Sequence, residues 1–128
     1  MMPFTRHTLK KAERLSSKTG LSALLSKGKW GVQGPLRYCC LPDNGQEHAR
    51  IVVSVPKKLF RRAVKRNLLK RRIRESYRIQ KALLDDSRVD LMFVYASKEV
   101  LDSAVIREAV GTILTTVAGS LHQNNPKE

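Results

Sequence analysis

The chain has 128 residues, with 25 Lys or Arg against 11 Asp or Glu and a formal net charge of +14. That length suits one domain with a real core and is too short for two. The N-terminus, MMPFTRHTLKK, carries no apolar segment behind its charges. The longest apolar run, residues 91–96, falls far short of the ~20 residues of a membrane span, so a cytoplasmic protein is expected.

In chain order, residues 1–14 are basic, lack apolar periodicity and read as an extended arm. Ser16 or Ser17 can cap a short helix that stops before Gly28, with Leu21, Leu24 and Leu25 on one apolar face. From Trp30 the texture turns to strand. LRYCCL (36–41) and RIVVSV (50–55) flank an Asn-Gly turn signal in PDNGQ (42–46), and together they predict an antiparallel hairpin. Adjacent residues of a strand face opposite ways, so Cys39 and Cys40 predict neither a zinc site nor an ordinary disulfide.

The stretch from Lys57 to Lys81 holds twelve basic residues and one acid, Glu75, a net of +11, and leaves only +3 for the rest of the chain. Good helix formers and the absence of Gly and Pro predict a helix over about 61–84. At 100° per residue Leu69, Ile73, Tyr77 and Leu84 fall on one stripe, with Ser76 and Gln80 between them. Asn67, Arg71, Arg74 and Arg78 fall on the opposite side, flanked by Lys70 and Lys81. Like charges at i,i+4, such as Lys70–Arg74 and Arg74–Arg78, each destabilise a helix by roughly 0.2–0.5 kcal/mol. A solvated face normally mixes signs. This one is nearly all positive, and a polyanion, nucleic acid first, accounts for it better.

Asp85, Asp86 and Ser87 break the helical pattern, and VDLMFVYA (89–96) reads as a buried central strand. A last helix starts near Asp102 or Ser103, with Ile106, Ala109, Val110, Ile113, Leu114, Val117 and Leu121 on its apolar stripe. Residues 122–128 read as a frayed tail. The result is one domain over 1–128, expected to bind nucleic acid, an α+β sandwich with helices on one side of a small sheet.

No catalytic constellation is visible. His7, His48 and His122 are scattered, no His, Asp or Glu cluster has metal-ligand spacing, and residues 28–31 lack the spacing of a phosphate loop. Catalytic and metal-ligating residues are therefore expected to be none.

AVKRNLLKRRIRESYR (63–78) resembles the signature of the protein subunit family of bacterial ribonuclease P, an Arg-Asn-Arg, two residues, Lys-Arg, two residues, Arg pattern on one helix. Arg66-Asn67, Lys70-Arg71 and Arg74 match it in type and spacing. The lead-in SVPKKLFRRA, the following Glu75-Ser76-Tyr77-Arg78, and Arg14-Leu15 before a first helix ending in Lys-Gly match too, and the resemblance spans about residues 9–121. Leu68 replaces the second Arg, and Arg72 stands where an apolar residue is usual, which suggests that Arg72 supplies the displaced charge. Leu21 and Leu25 replace two Phe residues of the family's first helix.

The resemblance implies an αβββαβα two-layer sandwich similar to a ribosomal protein domain, with a left-handed crossover around the basic helix. It implies partnership with the catalytic RNA of ribonuclease P and with precursor tRNA, whose 5′ leader the complex removes. The hydrolysis would be performed by the RNA with Mg²⁺, with no cofactor bound by the protein alone. Arg66, Asn67, Lys70, Arg71 and Arg74 would contact the catalytic RNA, Asn67 also fixing the loop before the helix. Lys57, Lys58, Arg61, Arg62, Lys65, Arg72 and Arg78 would add further RNA contacts, and Leu21, Leu25 and Tyr38 would line a leader cleft. The rival reading is a structural, rRNA-binding ribosomal protein. A DNA regulator of basic-zipper type lacks its heptad segment, and the packed stripe is too modest for a membrane-surface helix.

Overall fold

The computed structural model describes residues 13–46, 48–84 and 88–123. The elements run α1 (Lys18–Lys27), β1 (Lys29–Gln33), β2 (Leu36–Pro42), β3 (Arg50–Ser54), α2 (Ala63–Gln80) with a 3-10 turn at Lys81–Leu84, β4 (Val89–Tyr95) and α3 (Ser103–Gln123). The four strands form one mixed sheet in the order β1-β2-β4-β3. The expected residues 1–12, the break at 85–87 and the end 124–128 lie outside the described residues, as do the side chains of Leu121 and His122.

Local signals set most element ends. Ser17 caps α1, its Oγ accepting from the Gly20 N–H at 2.9 Å. Asp102 does the same for α3, accepting from the Val105 N–H at 3.1 Å. The stop at Gly28 has a different cause from the one its residue type suggests. Its φ is −74°, within reach of any residue, but an added Cβ would sit 2.5 Å from Cys39 Sγ and from the Leu24 carbonyl. Closeness to the sheet requires the glycine there.

The predicted pairing of 36–41 with 50–55 is not what forms. β2 pairs with β1, Trp30 opposite Cys39 and Gln33 opposite Leu36, through a two-residue turn at Gly34-Pro35. Gly34 has φ +57°, as the first position of a II′ turn needs. On its other side β2 pairs antiparallel with β4, and β3 pairs with β4 in parallel. The Asn-Gly signal serves a different end. Asn44 donates from Nδ2 to the His48 carbonyl and to Asp90 Oδ1, both at 3.0 Å, and its N–H donates to the Arg88 carbonyl. The loop is thereby tied to β4, which inserts between the two expected partners. β4 does hold the central, doubly covered place that its apolar run predicts.

The sheet has a core on each face. α2 and α3 cover the side of Leu36, Ile51, Val53, Leu91, Phe93 and Tyr95, adding Leu69, Ile73, Tyr77, Ile106, Val110, Ile113 and Leu114. Tyr77 and Phe93 meet at 6.3 Å, Phe60 and Tyr95 at 5.9 Å. α1 lies on the other side, where Leu24 and Leu15 close over Cys39, with Leu21, Leu41, Val52 and Met92 around them. The expectation of helices on one side therefore holds for α2 and α3 and fails for α1. The alternation in β2 explains it: Cys40 packs against the large core and Cys39 against α1.

β3 is an edge strand, and the chain before α1 protects it. Arg14 bridges Ile51, the Leu15 N–H donates to the Ile51 carbonyl at 2.7 Å, and Glu13 pairs with Lys81 at 2.9 Å. Asp90, 2% exposed, accepts both Arg50 Nε and Nη2, at 2.8 and 2.7 Å. That bond holds the guanidinium above its ordinary pKa. No helix among the described residues is long and apolar enough to cross a membrane.

Candidate nucleic-acid interface

The basic stretch begins as a turn and continues as α2. Leu59 and Phe60 close the turn by donating to the Pro56 carbonyl, and the Phe60 ring is buried. Lys57, Lys58, Arg61 and Arg62 are left exposed around it. Arg66 locks the turn to the helix, with Nη1 donating to the Phe60 carbonyl at 2.8 Å and the Arg61 carbonyl at 2.7 Å. That task was expected of Asn67. Among the described residues Asn67 makes no such bond; it is exposed one position further round the helix.

α2 buries Leu69, Ile73, Ser76 and Tyr77, the stripe that the spacing predicts. Ser76 Oγ donates to the Arg72 carbonyl, so its hydroxyl is satisfied within the packed face. Burial raises the Tyr77 phenol above its ordinary pKa, and the Glu13 carboxylate adds to the effect. With that stripe held inward, Lys65, Asn67, Arg71 and Arg74 are exposed on the outside, and Lys70 and Arg78 are half-buried at the flanks.

The electrostatics of this ridge are uncompensated. Glu75, the sole acid of the stretch, is bound by Arg78 Nε at 3.1 Å. Among the described residues none of Lys57, Lys58, Arg61, Arg62, Lys65, Lys70, Arg71 and Arg74 is ion-paired. The helix start compounds the excess: Arg62 is the N-cap without a side-chain cap bond, and no acid lies in the first turn. Helix N-termini carry partial positive charge and favour anions, so cations there are unfavourable in water and favourable beside phosphate.

Two sequence expectations change. Arg72 does not join the ridge: Nη1 donates to the Leu101 carbonyl, at the approach to α3. Its neighbours one turn away, Leu69 and Ser76, are both buried, so it belongs to the packed flank. The proposed cleft residues are not brought together either. Leu21 packs in the α1 core and Leu25, 45% exposed, extends from the same helix. Tyr38 faces the opposite side, packing against the large core and lining a cavity of about 220 Å³ with Lys29, Trp30, Cys40 and Thr116.

The chain matches the Ribonuclease P family model over residues 9–118. The chain belongs to the ribonuclease P protein family. The ribonuclease P protein component of Porphyromonas gingivalis is 36% identical over 121 residues, covering 88% of each chain. That of Staphylococcus carnosus is 32% identical, covering 77% of this chain and 82% of the relative. Among solved structures, the RNase P protein of Staphylococcus aureus superposes with a TM-score of 0.71 at 24% identity, over 84% of this chain and 96% of that one. The Thermotoga maritima RNase P protein gives 0.70 at 23% identity, over 81% and 96%. At those identities the structures establish the shared α+β fold.

Sequence reasoning missed one exposed feature of this ribonuclease P family member. Trp30 on β1 is 49% exposed, and the Arg37 guanidinium lies 5.6 Å from its ring centroid. In the sequence Trp30 marks only the start of strand texture. The correct hairpin, with its turn at Gly34-Pro35, is the signal that would have brought the two together. Among the described residues no group of three His, Cys, Asp or Glu is placed to hold a metal ion.

Proposed function

We propose that this chain is the protein subunit of ribonuclease P. It binds the catalytic RNA through α2 and the turn before it, contacts the 5′ leader of precursor tRNA, and assists removal of that leader to give the mature 5′ end. The observation that carries the reading is the ridge of Lys65, Lys70, Arg71 and Arg74, none of them ion-paired among the described residues, together with Lys57, Lys58, Arg61 and Arg62. A face so poor in aromatics and so rich in guanidinium reads phosphates and shape rather than base sequence.

Each residue then has a task. Arg71, Arg74, Lys65 and Lys70 neutralise phosphates, Arg66 keeps the preceding turn in register with them, and Asn67 is free to bond a sugar or base edge. The leader runs on the α1 side of the sheet, where Leu25 and Arg37 are exposed and Val94 is half-buried. The reaction in this family depends on Mg²⁺. The ridge does not suit a divalent cation, because its only carboxylate, Glu75, is held by Arg78. We therefore place the metal and the hydrolysis on the RNA, in the cytoplasm, with this protein lowering the Mg²⁺ the complex needs by supplying fixed positive charge.

The test is cleavage of a precursor tRNA by the cognate catalytic RNA at low Mg²⁺, with and without the protein. Rescue is expected, with loss of rescue when Arg71 and Arg74 are both replaced by Ala. No rescue by a folded protein that still binds ribosomal RNA would transfer the assignment to a structural ribosomal protein.

A further inference from the structure

We infer that Trp30 and Arg37 form a stacking platform for an unpaired nucleotide of the leader, at the sheet edge farthest from the basic helix. The inference rests on the subunit reading above and adds a contact to it. Trp30 is directly opposite Cys39 in the β1–β2 register, so both side chains share a face, and Cys39 is covered by α1. Arg37 lies two residues before Cys39, hence on that face too. α1 packs against β2 and β4, leaving Trp30 at 49% and the adjacent Val32 at 68% exposure. A large indole half in water contributes little to the core, and a chain whose aromatic content is only 5% keeps its sole Trp there.

Charge selects the ligand. Residues 16–41 contain four cations, Lys18, Lys27, Lys29 and Arg37, and no acid. Among the described residues Arg37 has no carboxylate partner; its guanidinium rests on the indole instead. An aromatic face beside unpaired cations is the combination that holds single-stranded nucleic acid, the ring taking a base and the cations the backbone. A structured duplex would not offer a free base to the ring. β1 is three strands from β3 in the sheet order, about 14 Å at the usual strand spacing of about 4.8 Å. A leader that enters at the β3 edge, beside the turn before α2, must cross the α1 side of the sheet to reach Trp30, so only a leader with several nucleotides can use the platform.

The experiment uses the reconstituted holoenzyme and precursors whose leaders are one nucleotide long or long enough to span the sheet. For Trp30→Ala, KM for the long-leader precursor is expected to rise roughly five- to a hundredfold, the equivalent of one stacked base. kcat, catalytic-RNA affinity and KM for the one-nucleotide leader should stay unchanged. Trp30→Phe should recover most of the loss, because a ring is restored. An equal effect on both leaders, or none on either, overturns the platform, as does a loss confined to catalytic-RNA binding or to self-association. Because Trp30 is the only Trp, intrinsic fluorescence gives a readout independent of the subunit reading. An isolated leader oligonucleotide should quench it, even if the protein failed to rescue cleavage. Absence of quenching would overturn the platform whatever the cleavage result.

Discussion

Arg66 and Arg71 stand on the same helix and differ in what their guanidinium groups touch. Arg66 bonds two backbone carbonyls of the turn before α2, while Arg71 is exposed and has no acidic partner among the described residues. Arg66→Ala should lower stability by about 1–2 kcal/mol, the worth of charge-assisted hydrogen bonds at a partly exposed site. Arg71→Ala should leave the denaturation midpoint unchanged, and both should weaken RNA binding. Urea unfolding beside RNA titration checks this; equal midpoints for the two variants would remove the anchoring role of Arg66. A second residue-scale expectation concerns Cys40. Burial, with smaller contributions from Cys39 and Asp90, pushes its thiol up to about 11 from 9.0. A raised thiol pKa means less thiolate at a given pH. In a Cys39→Ala background, alkylation of Cys40 at pH 8 should run on the order of tenfold slower than that of an unshielded thiol, since the greater nucleophilicity of a high-pKa thiolate offsets part of the thiolate lost. A rate equal to that of a denatured control would contradict the buried placement.

At the scale of elements, Asp90 is the joint between β4, β3 and the 43–49 loop, through Arg50 and Asn44. Removing it leaves a half-buried guanidinium without its carboxylate. Asp90→Ala should therefore cost about 3 kcal/mol, the lower end for broken buried pairs because Arg50 keeps some solvent. Asp90→Asn, which retains hydrogen bonding, should cost less; a neutral Asp90→Ala in thermal denaturation would show the joint to be dispensable. This joint also shows where the sequence stopped being legible. Helix ends follow from Ser17 and Asp102, and the buried stripe of α2 from its spacing, because those signals act within one or two turns of chain. Strand pairing does not. Asn44-Gly45 looks like a hairpin turn, and only the insertion of β4, with Asp90 46 residues on, makes it a tether. For the same reason the side of the sheet that α1 covers could not be read from Leu21, Leu24 and Leu25 alone. It depends on which strands lie beneath them.

For the whole molecule, the fold separates packing from charge. α2 turns Leu69, Ile73 and Tyr77 toward α3 and the sheet, and the same turn of the helix presents Arg71 and Arg74 outward. Most of the candidate RNA face was legible in the sequence, since a 3.6-residue period places charges as surely as it places leucines. Arg72 was misread because its chemistry matched the ridge while its angle matched the core. Trp30 and Arg37 were invisible without the β1–β2 pairing. The α2 ridge is expected to bind RNA by displacing counterions from phosphates. The most direct test is the affinity for the catalytic RNA as a function of salt, for the wild type and for a variant with Lys65, Lys70, Arg71 and Arg74 changed to Ala. With about six phosphates neutralised, the log–log slope should be on the order of −4 to −5 for the wild type, and shallower by about 3 for the variant. A wild-type slope near zero, or one that the four substitutions leave unchanged, would contradict it.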